Sequence, residues 1–114
     1  MHEMSYVIRL VNLAAKTAEE QNAKKVLKIV VEAGKMTGVE PYYMDKYYKT
    51  AIRGTILDGS EIEVIPVDVT AECVCGCEYT PDAAHDYLCP DCGGGNCKIT
   101  GGRDVVLKEV AIEV

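Results

Sequence analysis

Cys73-Val74-Cys75-Gly76-Cys77 and Cys89-Pro90-Asp91-Cys92-Gly93 are the stretches on which the reading of this chain turns. In the second, two cysteines two residues apart can close a tight turn whose sulfurs converge on one cation. The glycine behind them lets the backbone fold back under the metal. The first stretch is less regular, with three thiols at single-residue spacing. Cys75 precedes Gly76 and so imitates the second cysteine of such a turn, which makes Cys73 its partner, one residue nearer than usual. Cys73 with Cys77 and Cys75 with Cys77 are the other pairings, and Cys97 is a sixth thiol near the start of a strand. Four thiolates give the closed tetrahedral geometry of a structural zinc site. A redox Cys-x-x-Cys normally opens a helix after a strand, whereas Pro90 and Gly93-Gly94-Gly95 argue for a turn. The triple glycine lacks the following lysine and helix start of a phosphate loop.

All 6 cysteines lie between Cys73 and Cys97, so none staples the rest of the chain. No apolar run approaches the roughly 20 residues of a membrane span, and Met1-His2-Glu3-Met4 does not open a secretory signal. A cytoplasmic location is therefore expected, where thiols stay reduced and bind metals rather than form disulfides. The 114 residues fit the size of a single domain. With 12 basic and 18 acidic residues the net charge is −6, which disfavours nucleic acid and acidic membrane as partners.

Outward from the insert, apolar residues at Met4, Val7, Ile8, Val11, Ala14, Ala15 and Ala18 predict a helix over residues 3–21, with Asn22 as its stop. Residues 25–33 are β-branched and predict a strand ended by Gly34. Pro41 opens a second helix running to about Arg53. Alternation from Glu61 through Ala71 predicts one strand, with Pro66 pointing to an edge or a bulge, and Asp104–Val114 reads as the last strand. The expected fold is α+β: a small mixed sheet with two helices (residues 1–71 and 98–114) and an inserted zinc-ribbon-like subdomain (residues 72–97).

His2 directly follows the initiator methionine, and a free α-amine, backbone nitrogens and an imidazole can together form a square-planar site suited to Ni(II) or Cu(II). A bare terminal histidine is the alternative at this point. His85, between Asp82 and Asp86, reads as a solvated loop residue. Tyr42, Tyr43, Tyr47 and Tyr48 read as packing residues that supply much of an aromatic core lacking Phe and Trp. No nucleophile elbow, histidine–carboxylate pair or paired buried acids is visible, so the chain is not expected to be an enzyme.

Met1-His2-Glu3, Gly34, Gly38-Val39-Glu40-Pro41, Gly54-Thr55, the cysteine insert and Gly101-Gly102, in this order and at this length, resemble the HypA/HybF hydrogenase nickel-incorporation proteins. The resemblance covers essentially the whole chain. It implies a nickel metallochaperone for [NiFe]-hydrogenase maturation, with a HypB-type GTPase and the hydrogenase large subunit as partners and urease maturation as a further role in some members. Carried over, the Ni(II) site falls on His2, with the Met1 amine and Glu3, and the second pair of Zn(II) ligands falls on Cys89 and Cys92. This chain departs from the family's usual Cys-x-x-Cys in the first pair. Alignment on the following glycine and on Tyr79 selects Cys73 and Cys75, with Cys77 as the alternative and Cys97 as an extra thiol. On the insert alone, the rival reading is a zinc-ribbon interaction module without nickel transfer.

Overall fold

The structure, a computed structural model, describes residues 3–114, so the expected nickel ligands Met1 and His2 lie outside the described residues. Its elements are α1 (Glu3–Glu20), β1 (Lys25–Gly34), α2 (Pro41–Ala51), β2 (Glu61–Val67), β3 (Thr70–Cys73), β4 (Glu78–Tyr79), β5 (Cys97–Gly101) and β6 (Val105–Glu113). Short 3-10 turns follow β1 and precede Asp86. The strands form two sheets, ordered β2-β1-β6 and β4-β3-β5. The radius of gyration, 17.5 Å, exceeds the roughly 13 Å of a compact domain of this length, and the molecule measures 54 × 26 × 16 Å. It is two small units joined end to end. Among the described residues no helix is long and apolar enough to cross a membrane.

The first sheet is mixed, as expected. β1 pairs parallel with β2, from Lys28 opposite Glu61 to Gly34 opposite Val67, and antiparallel with β6, from Lys25 opposite Glu113 to Ala33 opposite Val105. Parallel neighbours need a long crossover, and α2 supplies it. Pro66 sits in β2, an edge strand, where its missing N–H costs no ladder bond on the open side. Inward residues of β1 are Val26, Ile29, Val31 and Ala33. Their spacing changes from three to two at a register shift against β6 between Val26 and Lys28, which rotates the face that points inward.

α1 covers this sheet with Val7, Leu10, Val11, Ala14 and Ala18. Its buried stripe is rotated from the expected one: Leu10 enters the core, whereas Met4 and Ile8 stay exposed. Asn22 follows the helix at φ 55°, the left-handed geometry that ends it. α2 contributes Met44 and Tyr48, and Ile52 and Leu57 close the core. Of the four tyrosines in α2 only Tyr48 is fully buried, its hydroxyl hydrogen-bonded to Ser60 Oγ at 2.6 Å. Tyr42 and Tyr43 are exposed, ring edge to ring face, so aliphatic side chains rather than aromatics fill the core.

The expected strand over residues 61–71 is divided. β2 ends at Val67, the chain turns at Asp68-Val69, and β3 starts the second sheet at Thr70. The return crossing uses Gly102, whose absent Cβ would collide with Asp68 O and Val69 Cα. Asp104 O accepts the Gly34 N–H at 2.9 Å, which ties the junction to the end of β1.

Candidate metal centre

β3 ends at Cys73, where the chain reverses through a tight loop. The Gly76 N–H donates to Cys73 O at 2.8 Å, and the Cys73 N–H donates to Cys77 O at 2.9 Å. Across from it, the Gly93 N–H donates to Cys89 O at 2.9 Å and the Cys89 N–H donates to Gly94 O at 3.1 Å. Gly76 and Gly93 have φ of 94° and 71°, so the turns need glycine behind Cys75 and Cys92. The short Cys73-Val74-Cys75 spacing still points both sulfurs inward, because Cys73 projects from the strand end and Cys75 from the loop beyond it.

The Sγ atoms of Cys73, Cys75, Cys89 and Cys92 all lie within 4.8 Å of one another. Cys73 to Cys92 is 3.5 Å, and Cys75 to Cys89 is 3.6 Å. A tetrahedron of about 2.3 Å zinc–sulfur bonds has edges of about 3.8 Å, so the set fits that ion. As thiols these sulfurs offer one another only weak S–H···S contacts, whereas as thiolates they are the donors a soft divalent cation takes. The amides of Cys92 and Asp91 pull the Cys89 thiol down to about 6, despite burial. The Gly94 N–H adds a contact to Cys92 Sγ at 3.4 Å. The Cys75 amide favours the Cys73 thiolate, but burial and the facing sulfurs outweigh it and push that thiol up to about 12.

Cys77 stands outside this converging set. Its Sγ lies 3.6 Å from Glu78 O, and burial with the Cys89 sulfur and Asp91 beside it pushes the thiol up to about 11. His85 is exposed and also apart from the sulfurs, with Nδ1 2.9 Å from Asp82 Oδ1. Asp82 also accepts the His85 backbone N–H, which caps the short turn there.

In the first unit, Glu3 opens α1 and is 5 % exposed. Its Oε2 accepts the Glu40 N–H at 3.0 Å, binding the start of α1 to the start of α2. Glu3, Glu40, Tyr43 and Tyr47 line a shallow cleft of about 290 Å³ there. The sequence reading placed Glu3 in the expected nickel site with His2 and Met1; its burial against Glu40 has no local sequence signal, because it is a contact between residues 37 positions apart.

Comparison with known proteins shows the family and the fold. Residues 1–112 match the family described as hydrogenase/urease nickel incorporation, metallochaperone, HypA. The hydrogenase maturation factor HypA of Methanocella arvoryzae is 36% identical over 114 residues, covering 100% of both chains. That of Aquifex aeolicus is 36% identical over 115 residues, covering 100% of this chain and 99% of the relative. The solution structure of the Ni metallochaperone HypA from Helicobacter pylori superposes with a TM-score of 0.77 at 23% identity, covering 99% of this chain and 98% of that one.

Proposed function

The chain belongs to the HypA family of hydrogenase/urease nickel-incorporation metallochaperones, and on that premise we propose that it carries Ni(II) at its first three residues and releases it for [NiFe]-hydrogenase maturation. The Met1 amine, His2 imidazole and intervening backbone nitrogens supply the donors, with Glu3 beside them. The observation that carries this reading is the family match, which begins at residue 1 and so includes Met1-His2-Glu3. The anchoring of Glu3 to Glu40 supports it, because it fixes the start of α1. Deprotonated nitrogens favour nickel, so acidification favours release.

Zn(II) at Cys73, Cys75, Cys89 and Cys92 is the structural partner of this site; it holds the two loops together and takes no part in transfer. Residues 1–71 and 98–114 form the nickel unit and 72–97 the zinc unit. Drawn at the hydrogen-bonded strands, the zinc unit begins at Thr70 and ends at Gly101. The protein acts by carrying metal in the cytoplasm and catalyses no reaction. Its partners are a HypB-type GTPase, the hydrogenase large subunit and, where present, the urease maturation system. Titration of Ni(II) into zinc-loaded protein tests the reading. One residue added before Met1 displaces the amine and is expected to weaken binding by at least tenfold. Equal affinity for the native and extended chains would refute the N-terminal site and leave the zinc-ribbon interaction module as the better reading.

A further inference from the structure

Cys97 opens β5 directly across from Cys73 in β3. The Val74 N–H donates to Asn96 O at 3.2 Å, while the Cys73 N–H points away from β5 to Cys77 O. Cys73 and Cys97 are therefore a non-hydrogen-bonded antiparallel pair. In such pairs the Cα atoms stand about 4.5 Å apart and the two side chains leave the same face at their closest approach. A disulfide needs Cα atoms roughly 4.4–6.8 Å apart and Cβ atoms near 3.8 Å, so this pair can close with little backbone movement. Both thiols are free. Cys73 is buried within the converging set, while Cys97 is half-buried and outside it.

The same face of the sheet carries Tyr79. Its register partner Ala71 lies opposite Ile99, one inward position before Cys73 and Cys97. Tyr79 Oη is buried without a hydrogen bond of good geometry. The adjacent Cys97 thiol and burial push its pKa up, so the phenol keeps its proton as a donor beside that sulfur.

We propose that Cys73 and Cys97 are an oxidisable cross-strand pair, through which a peroxide removes one corner of the four-cysteine site. This rests on the reading of Cys73 as a zinc ligand. The Cys97 thiolate attacks one peroxide oxygen; the O–O bond breaks, water leaves and a sulfenic acid forms. The Cys73 sulfur then attacks the Cys97 sulfur; the S–S bond forms, the S–O bond breaks and hydroxide departs, taking the remaining proton as water. In sum, two thiols and one hydrogen peroxide give one disulfide and two waters: the sulfurs lose two electrons and the peroxide gains them. Cys73 is then no longer a thiolate donor, and three cysteines remain where a closed site needs four.

The test uses the full-length zinc-loaded protein, hydrogen peroxide, a chromogenic chelator to report zinc and mass mapping of the cross-linked peptides. A Cys73–Cys97 link is expected to form in step with zinc release. Cys97→Ala and Cys97→Ser are expected to slow release at least tenfold at unchanged starting zinc content, and Cys77→Ala to release at the native rate. Native release rates in both Cys97 variants, or a link mapped to another pair, would overturn the proposal. If the purified protein holds no stoichiometric zinc, the zinc reading itself fails. The mapped link still decides the pair: a Cys73–Cys97 disulfide supports it and its absence overturns it.

Discussion

The two sheets have three strands each, yet they are held by different means. The β2-β1-β6 sheet lies under α1 and α2 over a continuous core that includes Leu10, Ile29, Met44, Tyr48 and Leu57. In the β4-β3-β5 unit, the fully buried side chains are Ala71, Cys73 and Cys89. A sheet with so little apolar burial cannot offset the conformational entropy of its long loops. Metal–thiolate bonds can, because a site absent from the unfolded chain contributes its binding free energy to folding. Three strands alone therefore do not make a stable unit; what covers them decides.

That contrast is broken most forcefully by removing metal. A strong chelator is expected to unfold residues 70–101 while 3–67 keep their protection, read by hydrogen exchange. Cooperative loss of both units would contradict the division. Next in size, Leu57→Ala opens a cavity in the first unit and is expected to cost about 2–5 kcal/mol in urea melts, with zinc content unchanged. Tyr48→Phe leaves the buried Ser60 hydroxyl without its partner and is expected to cost about 1–2 kcal/mol.

The smallest effect belongs to the exposed Lys28–Glu63 pair across β1 and β2, at 2.7 Å. Lys28 holds the Glu63 carboxyl below its ordinary value. A carboxyl depressed on folding stabilises above its unfolded pKa, and that contribution fades as pH falls through the folded value. Glu63→Gln should therefore change stability slightly at neutral pH, not at all once both forms are neutral in acid, and less in high salt. A change as large as that of Leu57→Ala would show that this edge carries more than a surface pair.

The sequence was most legible where a periodic pattern had one cause. Pro41 and Asn22 mark helix ends through backbone geometry alone, and the β-branched run of β1 needs no tertiary context. The stripe of α1 was less so, since Leu10 and Ile8 are equally apolar and only the sheet beneath selects between them. Alternation through Val67, Val69 and Ala71 hid the break at Asp68, because a chain passing between sheets keeps its period while changing its neighbours. At the cysteines, spacing marked a tight turn at Cys89 and Cys92 but left three thiols for two places in the other loop. Convergence of the Cys73 and Cys75 sulfurs with the other two is a property of the turn's hydrogen bonds, and so is the standing aside of Cys77. The register that sets Cys97 opposite Cys73 depends on strands some twenty residues apart and leaves no local trace.

The central proposal is that cargo and structural metal bind at separate sites of one small protein. Metal analysis after equilibrium dialysis against Ni(II) and Zn(II), on His2→Ala and on the Cys89→Ala/Cys92→Ala double variant, tests it directly. The expected result is a crossed one: His2→Ala keeps its zinc and loses nickel, and the double cysteine variant loses zinc and keeps nickel. Full nickel retention in His2→Ala, or its loss with the cysteines alone, would contradict the account.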